Sequence, residues 1–456
     1  MSQNPAVVDR AALAARLARS TPPHAVRNWP LPRARSDAIE ALRSSLAQAG
    51  DEDRGEQLHR FRERVLAEGT PLVEHDPEPD RCRITFVWIG QAEHGVVLQL
   101  NRLADTRDIA DTMLERIARV GDAEVHALTL RLPREWQGSY LFVPLPQPVA
   151  PNLHDPIDLR VIGAVARFAR ADPFARERIP SKAVAASAAQ ELPEYAVARG
   201  DLAPSISLWK HDAPAATGLG AVSSPANGSP LDLHHWATPG ADEHSPVVLL
   251  LDGEVWREQF PIAGELAALR ERGGFGEAHL LFLDSGGPMQ RELDYAGAAE
   301  QSGALLEAAA KLVAGAASSG LPGLSGLSVA AAARWIVAGQ SLGGLFAAFA
   351  ATRHPERVRA AVAQSPSLWW PSPSDPWQRT RGWFEERAEV SDGAPVLLEA
   401  GAVDAGVVER ARSAAALLRA QGSLIDYREH PAGHDVLQWQ AALAGALAEA
   451  IRATEP

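Results

Sequence analysis

The sequence predicts an α/β protein in two main parts: a β-sandwich domain, then a domain with a mostly parallel sheet and helices on both faces. Three observations carry this. From residue 246 onward, short apolar runs alternate with Ala- and Leu-rich helical stretches, as in buried parallel sheets. Between residues 83 and 146, strand-like segments follow one another with little helix between them. A chain of 456 residues suits two or three domains at about 150–200 residues each.

Residues 1–80 are polar, Arg/Glu-rich and helical in pattern, with Val7, Leu13 and Leu17 near helical spacing; they are expected to form a helical extension. The sandwich is expected over 81–195. Its strands are "RITFVWIG" (83–90), "GVVLQLN" (95–101), "VHALTLRLP" (125–133) and "GSYLFVPLP" (138–146). Residues 196–245 include "APAATGLGAVSSPANGSP" and read as a connector. The third part, 246–456, holds "PVVLLLDG", "AHLLFLDSGG", "ARWIVAGQS", "VRAAVAQSP" and "PVLLEAG", each ending in a polar or glycine-rich tip. Chemistry in such sheets sits at those carboxyl ends.

Composition narrows the function. A net charge of −13 argues against bulk nucleic-acid binding. A single cysteine, Cys82, excludes an intrachain disulfide and a Cys-based zinc site. No run of 18 apolar residues predicts a membrane span, and Arg10, Arg16 and Arg19 break any signal-like core. The cytoplasm is therefore the expected location.

"VAGQSLGG" (337–344) places Ser341 between Gly339 and Gly343, after an apolar strand and before a helix. A G-x-S-x-G string is common by chance among 36 glycines, but this context is that of the nucleophile elbow of α/β-hydrolases. The tight turn demands small residues around the serine. It also sets the hydroxyl beside a helix N-terminus, where free N–H groups favour negative charge. Serine needs a base, and in this fold the order is Ser, acid, His. His434, in "PAGHDVLQW" after the candidate last strand, has the expected place. His354, His279, His234 and His235 lie elsewhere, and His430 is assigned to a strand end or the surface. His430 and His434 have H-x3-H spacing, but Pro431 and Gly433 spoil a helix between them and no third ligand follows; no metal is expected. For the acid, Asp404 is preferred, with Glu399, Asp375 and Asp426 as alternatives. The oxyanion donors are expected at the N–H of Leu342 and at Gly253 or Glu254, in the loop of "LLLDGEVW".

Together these residues resemble the enterochelin (ferric enterobactin) esterases. The resemblance rests on "LLDGEVW", "VAGQSLGGL", "HPERVRAAVAQSPSLWW", "LEAGAVD" and "GHDVLQW", and in the β-rich part on "ITFVWI", "GSYLFVP" and "ADP" (171–173). It implies a triad of Ser341, His434 and Asp404. It also implies cytoplasmic hydrolysis of a catecholate trilactone siderophore, with no cofactor and with iron arriving only in the substrate. In "RELDY", Arg291 is a candidate for an anionic ligand, with a salt bridge as the plain alternative. Trp369 and Trp370, with Trp377, Trp383, Arg379 and Arg381 nearby, are candidates for stacking and cation contacts. Two other functions compete: a carboxylesterase or other acyl hydrolase on a non-siderophore ester, and a siderophore-binding protein without catalysis. The first 80 residues and the run Ser365-Pro366-Ser367 depart from the family pattern, which places the particular siderophore in question.

Overall fold

A computed structural model describes residues 31–100, 109–121, 123–148, 168–180, 194–204, 214–297, 302–318, 334–370, 384, 393–404 and 407–455. Two compact units divide the chain, one holding the strands up to residue 199 and the other those from residue 217.

The first unit is a sandwich of two four-stranded sheets. Strands β1 (Leu72–His75), β2 (Arg81–Ile89), β3 (Val96–Leu100), β4 (Glu115–Val120), β5 (Ala123–Pro133), β6 (Gln137–Pro144), β7 (Arg178–Pro180) and β8 (Glu194–Arg199) are ordered β1-β2-β5-β4 and β3-β6-β8-β7. Aromatic rings on β2 and β6 meet edge to face: Phe86 and Tyr140 at 4.9 Å, Trp88 and Phe142 at 5.7 Å. The Tyr140 hydroxyl donates to buried Asp172 at 2.7 Å. Burial pushes the Asp172 carboxyl above its ordinary value, against the pull of this bond. Thus "GSYLFVP" and "ADP" make the sandwich's internal polar lock.

The described part of the expected helical extension, residues 31–80, proves to be part of this unit, whereas Val7, Leu13 and Leu17 lie outside the described residues. Helices α1 (Asp37–Gln48) and α2 (Asp51–Glu68) bury Ile39, Leu42, Phe61 and Val65 against Val87, Val125 and Ala127 of the first sheet. That sheet has one face inside the sandwich, so its other apolar face needs a cover, and the helices supply it. Ser36 caps α1, and the Arg83 guanidinium grips Asp37 in its first turn at 2.7 and 3.0 Å. Residues 72–75 then pair with β2, so the sandwich begins before residue 81.

The second unit is an eight-stranded sheet in the order β16-β15-β14-β13-β11-β12-β10-β9. Its strands are β9 (Thr217–Ser223), β10 (Pro230–Ala237), β11 (Val247–Leu251), β12 (His279–Leu283), β13 (Trp335–Gln340), β14 (Val358–Gln364), β15 (Val396–Gly401) and β16 (Leu424–His430). From β16 to β12 all neighbours are parallel, while β10 and β9 are antiparallel additions. Every residue of β11, β12, β13 and β15 is buried, which explains their unbroken apolar runs. The connector expected over 196–245 is corrected here, because it supplies these two strands, of which β9 is the sheet's edge. β9 is Gly-rich and mostly exposed, which hid it among turn residues. Helices α3 (Ile262–Glu271), α4 (Ser302–Ser318), α5 (Leu342–Arg353), α6 (Val407–Ala420) and α7 (Val436–Arg452) belong to the same unit. Among the described residues no helix is long and apolar enough to cross a membrane.

Candidate active site

Ser341 sits between β13 and α5 with φ 57° and ψ −116°. This left-handed backbone is unfavourable for serine and persists only where the surroundings hold it. Here its N–H donates to the Gln364 carbonyl at 3.0 Å, and its carbonyl accepts from the N–H of Leu345 and of Ser367. The turn is so tight that a Cβ on Gly339 would lie 2.4 Å from the Gly343 carbonyl, so only glycine fits there. Leu342 opens α5, where first-turn N–H groups lack partners within the helix. The Ser341 hydroxyl lies 3.3 Å from that of Ser367, on the loop after β14.

His434 and Asp404 come from the loops after β16 and β15. Asp404 Oδ2 accepts from His434 Nδ1 at 2.7 Å, with both side chains largely buried. This contact fixes the imidazole tautomer and leaves Nε2 as the proton acceptor. Backbone bonds from Ala402 and Val403 to the carbonyls of His430 and Ala432 tie the two loops together. The His434 ring meets Trp439 edge to face at 4.9 Å, and Trp439 Nε1 donates to Ser365 Oγ at 3.1 Å. The imidazole is thereby linked to the strand beside the serine. Asp435 does separate work: its carboxylate caps α7 through the N–H of Leu437.

The other carboxylates are engaged elsewhere. Glu399 accepts from Gln364 Nε2 at 2.7 Å, and Asp426 binds Arg428. Asp375 lies outside the described residues. His430 Nε2 lies 3.4 Å from Glu399 Oε1, while His235 and His279 bond each other far from the serine, on β10 and at the start of β12. Among the described residues no group of three or more metal-ligating side chains is arranged to hold an ion.

The loop Asp252–Glu254 follows β11, next to β13 in the sheet. A Cβ on Gly253 would lie 2.6 Å from the Phe282 carbonyl carbon, so the loop presses directly on β12. The Glu254 carboxylate accepts from both the N–H and the hydroxyl of Ser285. Burial and the neighbouring Asp252 charge raise the Glu254 carboxyl above its ordinary value. Beneath the site runs a buried polar chain. Trp256 Nε1 donates to Gln340 Oε1 at 2.9 Å, Gln340 Nε2 to Gln364 Oε1 at 2.9 Å, and Gln364 Nε2 to Glu399.

Two expectations about substrate contacts are corrected. Trp369 and Trp370 are 6% and 9% exposed and pack in the main core, their ring centroids 5.5 Å apart. Arg291 takes the salt-bridge alternative: it forks onto Asp252 at 2.6 and 2.9 Å. Asp294 accepts from Ser224 and Gln290. Trp377, Trp383, Arg379 and Arg381 lie outside the described residues. Sequence reasoning missed Ser367 and Trp439. The Ser-x-Ser and Gly-His-Asp-x-x-x-Trp spacings were the available signals.

Residues 83–200 match the N-terminal domain family of enterochelin esterases, and residues 234–450 match the putative esterase family. This chain thus joins a domain of the enterochelin esterase N-terminal type to a domain of the putative esterase type. Among its relatives, the iron(III) enterobactin esterase of Dickeya dadantii is 26% identical over 91% of this chain and 96% of that one. The iron(III) salmochelin esterase of Escherichia coli is 25% identical over 89% and 96%. The crystal structure of the ferric enterobactin esterase of Salmonella typhimurium shares the fold with a TM-score of 0.67. It is 22% identical, and the match covers 84% of this chain and 97% of that one.

Proposed function

We propose that the protein is a serine esterase that hydrolyses the ester bonds of a catecholate trilactone siderophore such as enterobactin. The observation that carries this is the 2.7 Å Asp404–His434 bond at the same sheet edge as the strained Ser341 elbow. The names of its relatives supply the substrate class.

His434 Nε2 takes the proton of Ser341 as the hydroxyl attacks an ester carbonyl. Asp404 holds the ring and stabilises the imidazolium. The N–H of Leu342 and an N–H in the Gly253–Glu254 loop bind the oxyanion, one such donor being worth about 3–4 kcal/mol in the transition state. His434 then protonates the leaving hydroxyl, and water releases the acyl group by the reverse route. The chemistry uses no resident cofactor, since iron comes with the substrate. We place the reaction in the cytoplasm, in keeping with the expectation from the sequence.

The test is a product profile. Iron-loaded and iron-free enterobactin are each incubated with purified protein and the linear fragments counted, with p-nitrophenyl acetate in parallel. Ser341→Ala and His434→Ala should abolish turnover. Turnover of the simple ester with both trilactones left intact would support a general esterase and refute the siderophore reading.

A further inference from the structure

Arg291 lies in the short helix Pro288–Glu292 after β12, and its surroundings assign it a task other than ligand binding. Its Nε and Nη2 donate to the two oxygens of Asp252, and Nη2 also donates to the Gln340 carbonyl at 2.9 Å. Asp252 opens the loop that carries Gly253 and Glu254, and Gln340 is the residue before Ser341. One guanidinium therefore joins the loop of the second oxyanion donor to the strand that bears the nucleophile.

The loop needs such a restraint. Asp252 has φ 56°, a left-handed conformation that residues other than glycine rarely hold unaided. Its N–H donates to the Tyr295 hydroxyl at 3.2 Å, and its carbonyl accepts from Val255. The Arg291 guanidinium also lies 5.5 Å from the centre of the Tyr295 ring. Charge points the same way. Asp252 and Glu254 set two carboxylates beside one guanidinium, so this corner offers little net attraction to an anion. A planar fork suits a bidentate carboxylate, which a lysine ammonium cannot reproduce.

We propose that Arg291 and Asp252 are positioning residues. As a pair they hold the Gly253–Glu254 loop at a fixed distance from Ser341, and Arg291 does not bind the acyl or catecholate anion. The proposal rests on the esterase reading above.

The experiment compares Asp252→Asn, Arg291→Lys, Arg291→Gln and the double variant Asp252→Asn/Arg291→Gln in the full chain. Steady-state kcat and KM are measured on a neutral ester, p-nitrophenyl acetate, and an anionic one, mono-p-nitrophenyl succinate. Melting curves report folding. Each single variant should lower kcat about 10- to 100-fold on both esters while KM stays within about 3-fold. Arg291→Lys should lose as much as Arg291→Gln, since charge alone does not restore the fork. The double variant should be no worse than the poorer single, because the two residues act as a unit. A rise in KM confined to the anionic ester, or full kcat in Arg291→Lys, overturns the proposal. Should Arg291→Gln fail to fold, near-isosteric Asp252→Asn carries the same test, and its full kcat would overturn the proposal. No turnover of either ester by the unmodified protein, with Ser341→Ala indistinguishable from it, would instead strike the esterase reading.

Discussion

Replacing Gly253 with alanine would show how finely the loop after β11 is set. The new Cβ would lie 2.6 Å from the Phe282 carbonyl carbon, 2.7 Å from the Leu283 nitrogen and 2.9 Å from the Leu283 carbonyl carbon. Carbon atoms pack comfortably at about 3.5 Å, so one side must retreat by roughly 0.9 Å. β12 cannot readily do so, because it is buried throughout and bonded on both sides, to β11 and β10. The loop must move, although Arg291 and Tyr295 hold Asp252 and Ser285 holds Glu254. A donor displaced that far loses most of its bond to the oxyanion. Losing one donor outright costs about 100- to 1000-fold in kcat. We expect Gly253→Ala to reduce kcat on p-nitrophenyl acetate by about 100-fold, with KM within about 3-fold. Melting curves would confirm that the variant folds. A folded variant with undiminished kcat, or one whose defect lies wholly in KM, would refute this role for the loop.

Asp404→Asn removes the charge that orients His434, and kcat should fall about 100- to 10,000-fold with the fold intact; an unchanged rate would move the acid elsewhere. Tyr140→Phe deletes a buried donor to Asp172 and should destabilise the sandwich by about 1–3 kcal/mol, measured by denaturant titration, with ester turnover by folded protein retained. The buried pair His235–His279 predicts a pH effect. His279 Nε2 donates to the Asp242 carbonyl at 2.8 Å, and its Nδ1 lies 3.1 Å from His235 Nε2. Burial, aided by His279, lowers the His235 imidazole from 6.5 to about 4. The unfolded chain therefore binds a proton below about pH 6.5 that the folded chain refuses. This contribution to stability is complete above that pH and is lost as pH falls toward 4. His235→Gln should lose less in melting temperature over that window; equal losses would contradict the assignment.

The sequence made the elbow legible because strand, turn and helix each leave a local signature, and Ser341, Leu342 and Gly339 all lie within one short segment. His434 was legible for a similar reason, as a Gly-His-Asp turn between a strand and an amphipathic helix. Asp404 was preferred to Glu399 from its place in the loop, and the fold supplies the physical reason. Residue 399 is still within β15, in register with Gln364, whereas residue 404 lies beyond the turn that reaches the His434 loop. Arg291 was ambiguous because its partner is 39 residues away, and no local pattern reveals an ion pair at that separation. Trp369 and Trp370 illustrate another limit: a bulky aromatic beside a catalytic strand looks the same whether it faces a ligand or fills the interior. The edge strand β9 was missed because its glycines and small residues carry little β propensity, and partner strand β10 determines its conformation.

The chain of amides beneath the site has one further consequence. The indole of Trp256 can only give a hydrogen and the carboxylate of Glu399 can only take one, so both glutamines between them are locked in a single sense. Sliding any one of these strands by a residue would break the links that its own residue makes and leave buried amide or carboxylate groups unpaired in apolar surroundings. Side chains lying crosswise to the backbone ladder thus act as a spirit level for the sheet, keeping the launch points of three separate loops at one height before any substrate arrives.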